Sequence, residues 1–399
     1  MACKQLTGGN AASFGESMNQ RSYLDYNATA PLRDEVRAAM IDALSLTGNP
    51  SSVHEEGRRA RAAVEAARAK VAALVGARSE DVIFTSSGTE ANALALAQGG
   101  DGVRRFVSEI EHPSVLAAVP DATRIPVTSD GVIDLAKLET ALQHHHLKGR
   151  RPFVSLMVAN NETGAVQPVA ETAKIVKYAC VEDTGGLVHT DAVQAAGRMR
   201  LDILALGADL LSLSAHKIGG PKGVGALVLR EGTAIEPLIK GGGQERRRRA
   251  GTENVPGLVG FGVAAELASA DLAELDKIAS LRDELEAKVR ALAPDAVVLS
   301  AGVERLANTS CIAVPGAKAE TLVIGLDLAG VAVSSGSACS SGKVEASHVL
   351  AAMGMAPEIT QGAIRISLGF GSKRDDIENF LRAFGELIER LKTSRRAAA

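Results

Sequence analysis

Apolar positions recur along this chain in two alternating rhythms, and the alternation predicts the architecture. Glu55–Gly76 (EEGRRARAAVEAARAKVAALVG) sets small apolar residues three and four apart against arginines and acids. That is the period of an amphipathic helix, and the segment closes on a glycine suited to a helix end. Asp81–Thr85 (DVIFT) is then a short unbroken apolar run, as in a buried strand, followed by the turn SSGTE and a helix to about Ala97. Further strands are predicted at Arg105–Ser108, Pro152–Val158, Leu187–Thr190, Leu210–Leu213 and Gly225–Leu229, with a helix over Val169–Cys180 between two of them. Strands alternating with helices imply βαβ units and a mostly parallel sheet.

After Gly241–Gly243 and the basic run Arg246–Arg249 the rhythm changes. One long helix is predicted from Val255 to Leu292. Strands follow near Ala296–Leu299, Ser310–Val314 and Ala363–Ser367, and a closing helix covers Arg374–Leu391. The expected organisation is an arm over residues 1–21, a large α/β domain over 22–262 and a small α+β domain over 263–399. Residues 22–35 are free to join the small domain, and the arm reads as disordered.

Composition narrows the function classes. With 46% apolar and 23% charged residues and a formal net charge of −3, the chain carries neither a nucleic-acid footprint nor an anionic-membrane signature. Aromatic residues make up only 3% and Trp is missing, so base-stacking platforms are not expected. No apolar stretch suggests a secretory leader or a membrane span. Cys3, Cys180, Cys311 and Cys339 form no C-x-x-C pair, which argues against a zinc site or a disulfide framework and fits a reducing cytoplasm. His144–His146 read as a solvated helix end rather than a metal site.

Three stretches carry candidate chemistry. In Ser212–Gly225 (SLSAHKIGGPKGVG) a strand delivers Ser214, His216 and Lys217 into a Gly/Pro turn. A lysine at a buried strand end suits an imine-forming amine; a lysine in a surface loop is the plain alternative. In Leu187–Gln194 (LVHTDAVQ) an apolar strand ends at Asp191, with Gln194 three residues on. A buried carboxylate needs a partner such as a protonated ring nitrogen, although a helix-capping aspartate reads the same. In Thr85–Asn92 (TSSGTEAN), Gly88 and Thr89 open a helix whose N–H groups suit a phosphate, while Ser87 and Glu90 equally form a capping box.

Together these describe a pyridoxal phosphate site. His112 (in EIEHPSV) and Asn161 (in ANNETG) follow other strands, and Arg365 sits inside the apolar strand GAIRISLG with a fork that suits a carboxylate. Cys339 lies in Ser334–Gly342 (SSGSACSSG), whose small residues offer it no packing partner and leave its thiol reachable.

With LDYNATAP (Leu24–Pro31), GNPSSVHEEGR (Gly48–Arg58) and GGGQERRRRAGTEN (Gly241–Asn254) added, the chain resembles the cysteine desulfurases of the class V aminotransferase superfamily. The resemblance implies fold-type I: a large domain with a mostly parallel seven-stranded sheet and a small α+β C-terminal domain. It implies pyridoxal 5'-phosphate carried by Lys217, with Gly88, Thr89, Ser214 and His216 at the phosphate. Asp191 would pair with the ring nitrogen, Gln194 with the ring oxygen, and His112 would stack on the ring. Asn161 would serve the ring hydroxyl or, with Arg365, the substrate carboxylate. Thr252 would reach the phosphate of the partner subunit in a homodimer. Cys339 would accept sulfur from L-cysteine as a persulfide, leaving alanine, and pass it to an acceptor or iron–sulfur scaffold protein. The pattern SSGSAC resembles the group serving iron–sulfur cluster assembly and nitrogenase maturation, and the ending LKTSRRAAA (Leu391–Ala399) favours the nitrogen-fixation or general-purpose branch.

Overall fold

The computed structural model describes residues 21–143, 147, 149–179, 185–335 and 347–398. The expected arm, His144–His146, Cys180 and Cys339 lie outside the described residues, apart from Arg21 at the arm's end.

The chain enters through β1 (Ser22–Tyr23) and then builds β2 (Val82–Thr85), β3 (Val103–Ser108), β4 (Thr123–Ile125), β5 (Arg151–Ser155), β6 (Leu187–Asp191), β7 (Leu210–Ser214) and β8 (Gly225–Leu229). Strands β2 to β8 form one seven-stranded sheet in the order β2-β8-β7-β6-β5-β3-β4. Only β8 runs antiparallel to its neighbours, so the sheet is mostly parallel. Strands β7 and β8 are buried at every position, which explains why their sequences read as continuous apolar runs. Strand β4 escapes the hydrophobic pattern: Thr-Arg-Ile is a three-residue strand at the sheet edge, and only its last residue is buried.

A smaller antiparallel sheet joins β9 (Val297–Val298), β10 (Thr309–Ala313), β12 (Ser334–Ser335) and β13 (Ala363–Ser367) in the order β12-β13-β10-β9. Beside it, β1 pairs in parallel with β11 (Val331–Ala332), so the chain's first described strand lies among its C-terminal elements.

The continuous helix expected over Val255–Leu292 is two helices, Val255–Asp271 and Leu275–Leu292, joined by a 3-10 turn at Leu272–Glu274. The reason is a change of packing partner. In the first helix, glycines admit close neighbours: a Cβ on Gly262 would lie 2.6 Å from Ala67 Cα, and one on Gly260 2.7 Å from Met40 Cγ. The second helix buries one face, Ile278, Leu281, Leu285 and Val289, in the core of the smaller sheet. Contrary to the sequence expectation, this helical stretch is apolar enough to span a membrane by length and composition, with a mean hydropathy of 1.3. Half of the qualifying window is buried inside the protein, as in a core helix.

Helix Glu55–Leu74 ends as its sequence predicts, with Gly76 in the left-handed region at φ +65°. It also holds the loop that follows the triple glycine. Glu245, Arg246 and Arg247 all have positive φ, at 47°, 55° and 65°, a conformation costing about 1–2 kcal/mol per non-glycine residue. Buried Arg68 offsets this by a two-pronged ion pair with Glu245, at 2.6 and 3.0 Å, and Glu245 also accepts the Phe84 N–H at 3.0 Å. Glu245→Ala removes the buried carboxylate from Arg68 and leaves it only the half-exposed Glu65 at 3.1 Å, so denaturant unfolding should show a loss of about 3 kcal/mol.

Candidate active site

The parallel strands end along one edge of the large sheet, where ligands bind in open α/β folds. Strand β6 ends at Asp191, and β7 ends at Ser214 and runs into the 3-10 turn Ala215–Lys217. The segment after β3 presents His112, and the one after β5 presents Asn161. Gly88, Thr89, His112, Asn161, Asp191, Gln194, Ser214, His216 and Lys217 line one cavity with about 760 Å³ of empty space open to solvent. A second cavity lies behind Lys217, between Arg33, Arg198 and Phe370. It lacks Asp191, His112 and the helix start at Gly88, so the chemistry belongs to the first.

Asp191 is fixed on both oxygens. Oδ2 accepts from Asn92 Nδ2 at 2.7 Å and Oδ1 from the Val193 N–H at 2.9 Å. The helix over Gly88–Leu96 therefore does two jobs: its start lines the cavity and its Asn92 braces the acid. The capping-box reading of TSSGTEAN holds in part. Ser87 Oγ caps the helix by accepting the Glu90 N–H at 3.1 Å. Glu90, however, reaches back to the Ser86 N–H at 2.7 Å and pairs with Arg249.

Lys217 Nζ donates to the main-chain oxygens of Asn27 at 2.6 Å and Ala28 at 2.9 Å. Burial pushes its pKa down to about 7, helped by the positive charges of Arg365 and Arg198. Burial likewise lowers His216 to about 4, with Lys217, Lys222 and Arg198 adding to the effect. His112 Nδ1 accepts the Ser114 N–H at 3.1 Å, which leaves Nε2 to carry the proton of the neutral ring. Burial depresses its pKa, the charge of Asp191 opposes that, and Lys217 and His348 add to it.

Arg365, central in β13, donates Nη1 to the Asn161 oxygen at 2.9 Å and pairs through Nη2 with Asp25 at 2.7 Å. Gln194 gives Nε2 to the Asn27 oxygen at 3.0 Å and receives Arg198 on Oε1. Thr252 is not brought into this cavity: it lines a separate hollow with Phe84, Thr85 and Arg249. Cys339 lies outside the described residues. The described ends on either side of its segment both meet the site wall. Ser334 pairs in register with Arg365, while Ser347 donates to Glu162 at 2.5 Å and His348 Nε2 meets the Glu111 oxygen at 2.9 Å.

The residues missed from sequence are Asn92, Asp25, Asn27 and Glu162. Segment Leu24–Thr29 ties the site together: Asn27 O receives both Lys217 and Gln194, Asn27 Nδ2 reaches Asn161 O at 3.2 Å, and Thr29 Oγ1 meets His216 Nδ1 at 3.1 Å. LDYNATAP is visible as a motif, yet nothing in its spelling says that its carbonyls will receive a lysine encoded about 190 positions later.

The Aminotransferase class-V family model matches residues 22–380, nearly the whole described chain. A protein of Dictyoglomus turgidum named "Cysteine desulfurase IscS" is 41% identical over 390 residues, spanning 94% of this chain and 96% of its own length. The chain belongs to the cysteine desulfurases of the class-V aminotransferase family. "Cysteine desulfurase" of Cereibacter sphaeroides is 44% identical over 387 residues, covering 94% and 97% of the two chains. Among solved structures, a NifS-like protein from Rickettsia africae superposes with a TM-score of 0.85 at 39% identity, covering 92% of this chain and 99% of its own. Membership of this desulfurase family agrees with an α/β fold built on a large, mostly parallel sheet and a smaller C-terminal one.

Proposed function

We propose that this member of the family converts L-cysteine to L-alanine and takes the sulfur onto Cys339 as a persulfide, for iron–sulfur cluster or other cofactor assembly. The observation that carries the reading is Lys217: a half-buried amine, lowered to about 7, facing the same cavity as Asp191 and the helix start at Gly88.

The residues fit pyridoxal 5'-phosphate. A Cβ on Gly88 would come within 2.9 Å of Val193 Cγ2 and 3.3 Å of Ser214 Cβ, so only glycine leaves the start of the helix open. Gly88, Thr89, Ser214 and His216 would hold the phosphate, Asp191 the ring nitrogen and Gln194 the ring oxygen. The bound cofactor supplies an electrophilic aldehyde and a ring that accepts electrons from the substrate. Lys217 would hold the aldehyde and, as a neutral amine, would move the proton at the substrate Cα. His112, with its proton on Nε2, would stack on the ring. Asn161 and Arg365 hold the substrate carboxylate. Cys339, as thiolate, bonds to the substrate sulfur while the C–S bond breaks, and the carbon fragment leaves as alanine.

Residues 22–262 form the cofactor-holding domain in this reading, and residues 263–399 the domain that carries Cys339. The subunits pair as a homodimer, where Thr252 serves the partner's phosphate, and a scaffold or other acceptor protein receives the sulfur in the cytoplasm. The test is incubation of the holoenzyme with L-cysteine and a thiol reductant. Alanine and sulfide should appear in equal amounts. Rapid amino transfer to a 2-oxo acid, undiminished by thiol alkylation, would instead make the protein an aminotransferase.

A further inference from the structure

Arg365 is not a free cation waiting for a carboxylate. Its side chain is only 8% exposed and already pairs with Asp25, itself 17% exposed, at 2.7 Å. Nη1 is spent on the Asn161 oxygen at 2.9 Å, and Nε is buried without a partner among the described residues. The guanidinium thus keeps spare donor capacity, Nε among it, beside an anion that already balances its charge.

Asp25 cannot readily withdraw. Its Oδ2 accepts the Ser334 hydroxyl at 2.8 Å, and its backbone forms a bridge with Ser367 at the end of β13. The cation and its anion are therefore fixed to the same strand system, Arg365 within β13 and Ser334 in register beside it on β12. An arriving carboxylate meets Arg365 with Asp25 still in place.

We propose that Asp25 is the resident counter-ion of Arg365 and weakens the site's hold on the carboxylate it takes. The inference rests on the reading of Arg365 as the carboxylate-binding group. Its chemical sense lies in the reaction itself. Substrate and product share the same α-carboxylate, and binding energy spent equally on both does nothing for the chemical step. A tight grip would retain alanine; a charge-balanced arginine orients the carboxylate and lets it go. Asp25 is a positioning residue in this scheme, because it acts through Arg365.

Propionate and propionamide separate charge from shape, and their dissociation constants for the holoenzyme can be read by NMR titration. Asp25→Asn keeps the shape and an acceptor for Arg365 but removes the charge. Propionate should bind about tenfold tighter, about 1.4 kcal/mol, while propionamide binding stays the same. Asp25→Ser, which removes the charge with less steric demand, carries the same expectation if the asparagine variant does not fold. Propionate affinity within twofold of wild type in the folded variant overturns the counter-ion assignment, as does weaker binding. Arg365→Gln keeps the two ideas apart. If it abolishes the preference for propionate over propionamide, the reading of Arg365 stands whatever Asp25 does. If the preference survives, that reading fails and the role of Asp25 falls with it.

Discussion

Lys217→Ala is expected to abolish both the cofactor's yellow chromophore and turnover, with the rate falling on the order of 10³-fold or more. The amine does two things that no other described group in the cavity can do. In the proposed reaction it would be the nucleophile that fixes the cofactor aldehyde, and its return as a neutral base would serve the proton at the substrate Cα. His112 and His216 cannot replace it, because burial holds both imidazoles below their ordinary range and neither is an amine. The same geometry sets a pH dependence. With its pKa lowered from 10.5 to about 7, Lys217 is an ammonium below that pH and a free amine above it. Chromophore formation on adding pyridoxal phosphate to the apoprotein should therefore speed up as pH rises and level off, with a midpoint near 7. A midpoint near that of a free lysine would show that burial and the neighbouring arginines do not tune this amine.

Cys339→Ser should separate colour from sulfur chemistry. The variant is expected to keep the chromophore and its response to L-cysteine, while sulfide release falls to background and no persulfide forms on the protein. A thiolate is the competent nucleophile, and a free cysteine, with a pKa of about 8.5, is mostly protonated near neutrality, so a proton acceptor such as His112 or the substrate's own groups must assist. Cys311 cannot stand in. It is fully buried in β10, and burial together with the nearby Glu162 pushes its pKa up to about 12. Cys311→Ala should accordingly leave sulfide release unchanged. Full activity in Cys339→Ser would place the sulfur acceptor elsewhere.

Several elements were legible because local physics is enough to specify them. A helix such as Glu55–Leu74 needs only its period and a terminal glycine, and β7 and β8 announce themselves by burial on both faces. Strand β4 was missed for the opposite reason: its pairing comes from β3, not from its own side chains. The break at Leu272–Glu274 was missed because composition cannot report that a helix changes partner half-way along.

The site divides along the same line. The sequence by itself determined the chemical groups and the strand ends that carry them: Lys217 after β7, Asp191 closing β6, a glycine-opened helix after β2. Each is written within a dozen residues, where strand, turn and helix signals are local. Only the tertiary structure decided their condition. Asn92 braces Asp191 across 99 positions, Asn27 and Ala28 receive the lysine, and Asp25 balances Arg365 across 340. Burial, main-chain acceptors and counter-ions arise from segments distant in the chain, and they set charge and proton affinity where the side chains alone cannot.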